Sequence, residues 1–457
     1  MVLLVKLHPF WRRKAFLAAA MFIALQGCAA ASKVQPPALL KKMSPEPTAP
    51  VILIPGTTRT KLIDTRTGIT VWGNLYNFVG RHNETALALP IDSANLDENT
   101  NTTGPGELLD EIAIIPKLVE MQLYTRFLKA MKKGGYRRGD IDHPKPGENL
   151  FIFTYDWRLP PDINARILAG KIDRLKESLG PEASKFDMIA HSSAVFIARY
   201  YALYGSRDIK QESRPEPDYA GSANLRKLIL VNPAHQGLLF AFRILHEGFR
   251  PVHSPFMRKF TPYEIFSHPA FYTMMPRYDL EPFVGTDGHP AKLNLYNADE
   301  WVKYGWSVFH KEEQSRLEKQ MMRRYPQTWE EEMRKENTKM RNYLQAGLDR
   351  ALLIQKAVSE KNYALPESVE THVFVTEWGP TPERVCVELP KGELHFDNGE
   401  CGVLLTAEGD HMVTSSSLRG QYAQNPPSYI FLKEQHRQIA NNKKVHAHIL
   451  AILRGKE

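Results

Sequence analysis

A serine flanked by small residues, at the junction of an apolar run and an amphipathic run, most constrains the fold of this chain. The segment Phe186–Tyr200 reads Phe-Asp-Met-Ile-Ala-His-Ser-Ser-Ala-Val-Phe-Ile-Ala-Arg-Tyr, with Ser192 near its centre. We interpret it as a strand, a sharp turn and a helix. A serine at such a turn holds a strained backbone while strand and helix press together, so the residues two before and two after it must be small. Ala190 and Ala194 meet this condition.

The segment alone is equally compatible with an ordinary strand-to-helix turn. Its interpretation as a nucleophile elbow therefore depends on other parts of the chain.

Residues 1–27 have the pattern of an export signal. A basic stretch with Lys6 and Arg12 precedes the apolar run Ala15–Leu25, which is too short to span a bilayer. The ending Leu25-Gln-Gly-Cys28 resembles the lipobox of bacterial lipoproteins, in which cleavage leaves Cys28 as a lipidated N-terminus; a plain secretory signal is the alternative. The resemblance predicts an exported lipoprotein anchored at a membrane surface. Ala29 after the cysteine favours the outer membrane, facing the periplasm or the cell surface.

The charge of the chain is mild. Cleavage after residue 27 would leave 55 of the 59 basic residues against 51 acidic ones, so the formal net charge would fall from +8 to +4. No basic cluster with interleaved aromatics stands out, which argues against nucleic-acid binding. No metal-ligand spacing, dinucleotide loop or phosphate loop is found, so we expect neither a metal nor a cofactor.

Apolar segments alternate with helical patterns along most of the chain. The predicted strands are Val51–Gly56, Leu150–Asp156, the run before Ser192, Leu225–Val231 and Thr371–Trp378, and the predicted helices include Tyr124–Gly135 and Asp162–Leu179. This alternation predicts an α/β fold, a mostly parallel sheet with helices on both faces.

The domain boundaries follow from composition. A proline-rich tether covers residues 28–49, and the first part of the core covers residues 50–237 with a lid loop at about residues 75–110. An insertion at residues 238–363 has the composition of a cap, and residues 364–457 form the second part of the core.

The insertion contains an aromatic part and a charged part. Trp301, Trp306 and Tyr272 either line a site for an acyl chain or form the core of the cap itself, and burial as core is the more common fate of such residues. The Lys/Glu alternation of Lys311–Lys361 is typical of a solvated helix face.

Two further residues complete a candidate catalytic triad. Asp410 follows a glycine in a predicted turn, and His436 lies in a polar segment before a terminal amphipathic helix. The order Ser192, Asp410, His436 is the order in which α/β hydrolases supply nucleophile, acid and base. The amides of Thr57, after the Val51–Gly56 strand, and of Ser193 are the candidate oxyanion hole.

Cys386 and Cys401 are candidates for a disulfide, because an exported protein can keep them oxidised. The bridge would close a loop of about fifteen residues and contribute on the order of 3 kcal/mol. Two unpaired thiols are the alternative.

With these residues identified, the chain resembles the lecithin:cholesterol acyltransferase family and its lysosomal phospholipase relatives. The matching segments are Val51–Gly56, Tyr155-Asp-Trp-Arg158, Ala190-His-Ser-Ser-Ala194, Pro233-Ala-His-Gln-Gly237, Ser267–Pro276 and Gly409-Asp-His-Met-Val413. The Tyr-Asp-Trp-Arg segment is the most specific. The chain departs from the family in the two elbow alanines, in His411 where glycine is usual, and in its charged cap.

The resemblance implies an α/β-hydrolase fold and a serine-dependent lipid acylhydrolase or O-acyltransferase. Such an enzyme takes an acyl chain from a glycerophospholipid through an acyl-enzyme and gives it to water or an alcohol. Two alternatives stay open, an esterase for a non-lipid substrate and a catalytically silent lipoprotein that binds lipid or a partner.

Overall fold

The computed structural model describes residues 49–74, 77, 87–94, 96–97, 101–115, 119–250, 258–359, 364–399, 401–420 and 427–455. The predicted signal peptide, Cys28 and the tether up to residue 48 lie outside the described residues, as does part of the predicted lid loop.

The bounds of the regular elements are as follows. The strands are β1 (Val51–Ile54), β2 (Thr60–Asp64), β3 (Thr70–Trp72), β4 (Thr103–Leu108), β5 (Glu111–Ile115), β6 (Val119–Gln122), β7 (Arg138–Gly139), β8 (Leu150–Ile152), β9 (Phe186–His191), β10 (Leu225–Val231), β11 (Phe283–Gly285), β12 (Glu370–Thr376), β13 (Gly379–Pro382), β14 (Val385–Glu388), β15 (Glu393–His395), β16 (Thr406–Gly409) and β17 (Ser428–Leu432). The α-helices are α1 (Thr125–Lys133), α2 (Pro161–Leu179), α3 (Ala194–Tyr204), α4 (Leu239–Glu247), α5 (Pro262–Phe266), α6 (Pro269–Thr273), α7 (Ala298–Tyr304), α8 (Lys311–Arg324), α9 (Trp329–Ser359), α10 (Ser415–Arg419) and α11 (Lys443–Leu453).

A seven-stranded sheet in the order β17-β12-β10-β9-β1-β8-β7 forms the centre of the molecule. All of its pairings are parallel. The apolar runs at β1 and β9 are buried along their whole length, as expected of central parallel strands covered on both faces. This sheet, with helices between its strands and an insertion between β10 and β12, is the α/β-hydrolase fold that the sequence predicted.

The strand order determines where a site can form. The chain passes from β1 by way of β7 and β8 on one side to β9 on the other, so the direction of winding reverses around β1. Ligands of open α/β sheets bind at the carboxyl ends of the strands beside such a reversal. The residues after β1, β9, β10, β12 and β17 meet at that edge.

A buried guanidinium holds the loops next to this edge. Arg158 is fully buried, and its Nη2 donates to Asp156 Oδ2 at 2.7 Å and to the carbonyl of Thr103 at 2.8 Å. Its Nη1 donates to the carbonyl of Leu87 at 3.0 Å. Because Leu87 and Thr103 belong to the predicted lid loop, the described part of that loop is fixed to the core.

The other residues of the Tyr-Asp-Trp-Arg segment hold the loop after β1. The Tyr155 hydroxyl donates to the carbonyl of Pro55 at 2.8 Å, and Trp157 Nε1 donates to the carbonyl of Thr60 at 3.1 Å. The segment therefore acts as a structural clamp on residues 55–60. This loop carries the predicted oxyanion donor Thr57.

The aromatic residues of the insertion form its own core. Trp301, Trp306 and Tyr272 are completely buried, and Trp306 stacks on Phe283 at 5.1 Å between ring centroids. Of the two interpretations of these three residues, burial as core is correct, and the structure does not present them to an acyl chain.

The charged part of the insertion folds into the pair α8 and α9. The N-terminal half of α9 is largely exposed, whereas its C-terminal half packs on α6 and α3. A Cβ at Gly347 would lie 2.7 Å from the Tyr272 ring, so α9 approaches α6 more closely than a larger residue permits. Only the first half of the charged run is therefore a solvated face.

Cys386 and Cys401 form a disulfide, which ties the strand β14 to the segment before β16. Cys386 is completely buried beside Val284 and Leu405 in a small apolar cluster. Within the described ranges, no helix is long and apolar enough to cross a membrane.

We predict that Arg158→Met destabilises the protein by about 3–5 kcal/mol, because it leaves the buried Asp156 carboxylate without its countercharge. The urea midpoint followed by circular dichroism checks this. Arg66→Met, at an exposed turn position, is the matched control and should leave the midpoint unchanged. Equal urea midpoints for the two variants would contradict the stabilising role of Arg158.

Candidate active site

The structure brings the three predicted triad residues into one hydrogen-bonded chain. Ser192 Oγ lies 2.8 Å from His436 Nε2, and His436 Nδ1 lies 2.6 Å from Asp410 Oδ2. The Asp410 carboxylate can only accept, so Nδ1 carries the proton and Nε2 is left with a lone pair for the serine hydroxyl. This arrangement is competent for transfer of the Ser192 proton to His436.

The local sequence explains how Ser192 is presented. Its φ of +59° lies in the left-handed region, which is strained for a serine, and its amide donates to the carbonyl of Val231 at 2.9 Å. Ala190 and Ala194 are fully buried on either side. Ser192 itself keeps some exposed surface, so the turn lifts the hydroxyl out of a tightly packed junction.

Asp410 is buried and surrounded by donors. Its Oδ1 accepts the amides of Val413 at 2.8 Å and Met412 at 3.0 Å. Its Oδ2 accepts from His436 and from Asn232 Nδ2, the latter at 2.9 Å. A buried carboxylate needs such a set of donors to remain ionised.

The balance of these effects sets the ionisation of Asp410. Burial by itself favours the neutral acid, but the charge and hydrogen bond of His436 and the two backbone amides outweigh it, so the pKa of Asp410 lies below its ordinary value. A depressed folded-state pKa contributes stability above the unfolded-state pKa, and this contribution disappears as the pH falls through the folded-state value.

The predicted oxyanion residues lie against each other at the elbow. A Cβ at Gly56 would lie 3.3 Å from Ser192 Cβ, so this loop approaches the elbow closely enough to favour glycine. The amide of Thr57 donates to Ser193 Oγ at 3.1 Å, and the two hydroxyl oxygens are 2.5 Å apart. A substrate oxygen would have to replace Ser193 Oγ as the acceptor of the Thr57 amide.

Tyr124 and His191 support this loop through hydrogen bonds. The Tyr124 hydroxyl accepts a hydrogen bond from the amide of Gly56 at 3.2 Å and lies 2.6 Å from His191 Nδ1. Burial, with the nearby charges of His436 and Arg59, keeps the pKa of His191 well below its ordinary value. The neutral His191 ring stacks on His436 at 5.8 Å between centroids, which restricts how the His436 ring can tilt.

The sequence alone did not identify Asn232, Thr376 or Tyr124 as residues of the site. Asn232 and Thr376 stand at the ends of the neighbouring strands β10 and β12, and Asn232 Nδ2 lies 2.5 Å from Thr376 Oγ1. A polar residue directly after a buried parallel strand was the available signal for Asn232. Nothing in its local sequence distinguishes Tyr124, which comes from the start of α1.

The backbone at His411 and the arrangement of possible metal ligands complete the description of the site. His411 has a φ of +76°, a left-handed backbone conformation that favours glycine. Within the described part of the chain, no three His, Cys, Asp or Glu side chains are arranged to hold a metal ion.

Comparisons with known proteins give distant similarity. No family model and no curated protein matches the chain. Among solved structures, it is similar to the crystal structure of the Tle4–Tli4 complex, with 11% identity and a TM-score of 0.49 over 89% of this chain and 98% of that one. It is also similar to MGS-M2, an α/β-hydrolase enzyme from a Medee basin deep-sea metagenome library, with 9% identity and a TM-score of 0.21 over 65% of this chain and 73% of that one.

We predict that Asp410→Asn lowers kcat by about 10⁴-fold. The asparagine oxygen must face the amides of Met412 and Val413, so its NH₂ faces His436 and forces the tautomer that cannot accept the serine proton. Initial rates on a short-chain ester measure the effect. Glu408→Gln, two residues away and exposed, should keep the normal rate, and an active Asp410→Asn variant would refute this role.

Proposed function

We propose that this protein is a serine-dependent lipid acylhydrolase or O-acyltransferase that cleaves an acyl ester of a glycerophospholipid through an acyl-enzyme. The observation that carries the proposal is the continuous relay from Ser192 Oγ through His436 to the buried Asp410 carboxylate. It stands at the carboxyl edge of an α/β-hydrolase sheet.

In the first half of the reaction, Ser192 Oγ attacks the ester carbonyl while His436 Nε2 accepts its proton. Asp410 holds the imidazole in the required tautomer and stabilises the imidazolium. His436 then gives the proton to the leaving alcohol, and the acyl group remains on Ser192 as an ester.

The developing oxyanion would be bound by the amides of Thr57 and Ser193. The Thr57 amide becomes available when the Ser193 side chain rotates away from it, and the Ser193 amide lies at the start of α3, where no hydrogen-bond partner for it occurs within the described ranges. Donors held in place before the reaction stabilise negative charge without reorganisation.

In the second half, water or an alcohol attacks the acyl-enzyme with His436 as the base. Water releases a fatty acid and an alcohol releases a new ester, and in both cases Ser192 recovers its proton from His436. The choice depends on how well the site excludes water.

The lipid class is supported by the sequence. The Tyr155-Asp-Trp-Arg158 segment resembles the lecithin:cholesterol acyltransferase family, and the predicted anchor at Cys28 would hold the enzyme at an outer-membrane surface. A cavity of about 700 Å³ is lined mostly by charged and polar side chains of the insertion, such as Arg243 and Glu247, and therefore gives no support for an acyl-chain site. Arg437, next to His436, lines it, whereas Ser192 does not.

We predict that Ser192→Ala lowers kcat by about 10⁶-fold, because the nucleophile is lost. The full chain is mixed with phospholipid vesicles and a long-chain alcohol, and fatty acid and acylated alcohol are identified by mass. Ser206→Ala, at an exposed position after α3, is the control and should retain full activity.

Three results would change the proposal. Product formation by Ser192→Ala would rule out the serine mechanism. Activity on water-soluble esters alone would favour an esterase for a non-lipid substrate. Absence of product together with absence of Ser192 labelling by a fluorophosphonate probe would favour a silent binding protein.

A further inference from the structure

The side chain of Thr57 contacts the same oxygen that accepts its amide. The Thr57 amide donates to Ser193 Oγ at 3.1 Å, and the Thr57 hydroxyl oxygen lies 2.5 Å from that atom. One oxygen atom is therefore held by two groups of a single residue. The reaction described above uses only one of these groups, the amide.

The Ser193 hydroxyl oxygen lies close to the place where a substrate oxyanion would bind. It accepts the Thr57 amide, and standard bond lengths keep it within about 4 Å of the amide nitrogen of its own residue. These are the two amides of the candidate oxyanion hole. The nucleophile adjoins the same place, because a Cβ at Gly56 would lie 3.3 Å from Ser192 Cβ. Ser193 Oγ thus occupies the position of the oxygen of a bound ester.

The Thr57 hydroxyl has a second neighbour, Met274 Sδ of the insertion, at 3.4 Å. A thioether sulfur is a weak acceptor. In the contact between Thr57 and Ser193 either hydroxyl can be the donor, so the Thr57 hydrogen can face the sulfur or the Ser193 oxygen. An ionised oxygen is a far stronger acceptor than a thioether. A charged substrate oxygen in place of Ser193 Oγ would therefore attract this hydrogen by rotation of the hydroxyl alone.

Hydrogen bonds on the two residues before Thr57 hold its backbone. The carbonyl of Pro55 accepts from the Tyr155 hydroxyl at 2.8 Å, and the amide of Gly56 donates to the Tyr124 hydroxyl at 3.2 Å. Donors that are already in place stabilise a developing charge without the cost of reorganisation. This requirement is met by the amide of Thr57 and by its hydroxyl alike.

We propose that the Thr57 hydroxyl is a third donor to the oxyanion, beside the amides of Thr57 and Ser193, and that its side chain is therefore catalytic. This rests on the proposed function and deepens it, because the reaction then needs a hydroxyl at position 57. The hydroxyl donates a hydrogen bond and keeps its proton, while the proton of Ser192 passes to His436. The third donor favours the tetrahedral intermediate over the planar ester, since only the intermediate carries a full negative charge on this oxygen.

The kinetic test compares Thr57→Val with Thr57→Ser in the full chain. Valine keeps the amide and the branched shape and loses the hydroxyl, whereas serine keeps the hydroxyl. We expect Thr57→Val to lower kcat about 100-fold with little change in KM, the scale of the loss of one oxyanion donor, and Thr57→Ser to retain most of the rate. Initial rates on a short-chain ester measure both. Thr67→Val, the same exchange at an exposed turn position, should keep the wild-type rate.

A Ser193→Ala background separates an action on the substrate from an action through the Ser193 side chain. We expect Thr57→Val to cause the same fold-change in kcat in this background as in the wild-type chain, because the partner of the hydroxyl is the substrate oxygen. If the loss disappears in the Ser193→Ala background, the hydroxyl acts only by placing the Ser193 side chain, and the catalytic role is wrong.

A binding measurement detects stabilisation of charge independently of turnover. Butylboronic acid adds to Ser192 Oγ, whose electron pair forms the bond to boron while its proton passes to His436, and the adduct is tetrahedral and negatively charged. We expect its inhibition constant to rise about tenfold in Thr57→Val, because such an adduct resembles the intermediate that the third donor stabilises. The Thr57→Ser and Thr67→Val chains should bind it as the wild type does.

The outcomes separate failure of this role from failure of the proposed function. If the wild-type chain cleaves the ester and Thr57→Val equals it in kcat and in affinity for the boronic acid, the role of the hydroxyl is excluded and the proposed function remains. If Thr57→Ser is as slow as Thr57→Val, the loss comes from the shape of the loop, and the role is likewise excluded. If the wild-type chain neither cleaves the ester nor is labelled at Ser192 by a fluorophosphonate probe, the proposed function fails and the role of Thr57 fails with it.

Discussion

The charge of Asp410 is the constraint around which the site is built. A buried carboxylate is unstable unless its oxygens accept hydrogen bonds. The Asp410 carboxylate accepts them from four segments of the chain. The turn after β16 gives two amides, the position after β10 gives Asn232, β12 gives Thr376 and the segment after β17 gives His436. Because these donors come from distant parts of the chain, the carboxylate is satisfied only when the carboxyl edge of the sheet is assembled.

A second buried charge organises the opposite side of the same edge. Arg158 joins Asp156 to the carbonyls of Leu87 and Thr103, while its neighbours Tyr155 and Trp157 hold the loop after β1. One short segment therefore fixes both the candidate oxyanion loop and the base of the predicted lid. This explains physically why four adjacent residues of such different types belong together.

The features that could be predicted from the sequence are those that neighbouring residues in the chain determine. Small residues around Ser192, a Pro-Gly after β1 and apolar runs such as β10 are local signals, and the structure has a strand–turn–helix and buried strands there. The strand predicted to run to Asp156 ends at Ile152, because residues 153–158 leave the sheet to form the clamp. The environments of Trp301, Trp306 and Tyr272 depend on packing between distant helices, so the sequence left two outcomes open. The pairing of Thr57 with Ser193 likewise depends on how closely two loops approach, which no spacing encodes.

The two histidines at the elbow are held in different protonation states by their surroundings. Burial is the main reason that the pKa of His191 lies well below its ordinary value, and the charges of His436 and Arg59 lower it further. His436 instead contacts the Asp410 carboxylate, which stabilises the imidazolium that forms when the ring accepts the serine proton. Although the two rings stack, only the ring that contacts a carboxylate is therefore suited to act as the base.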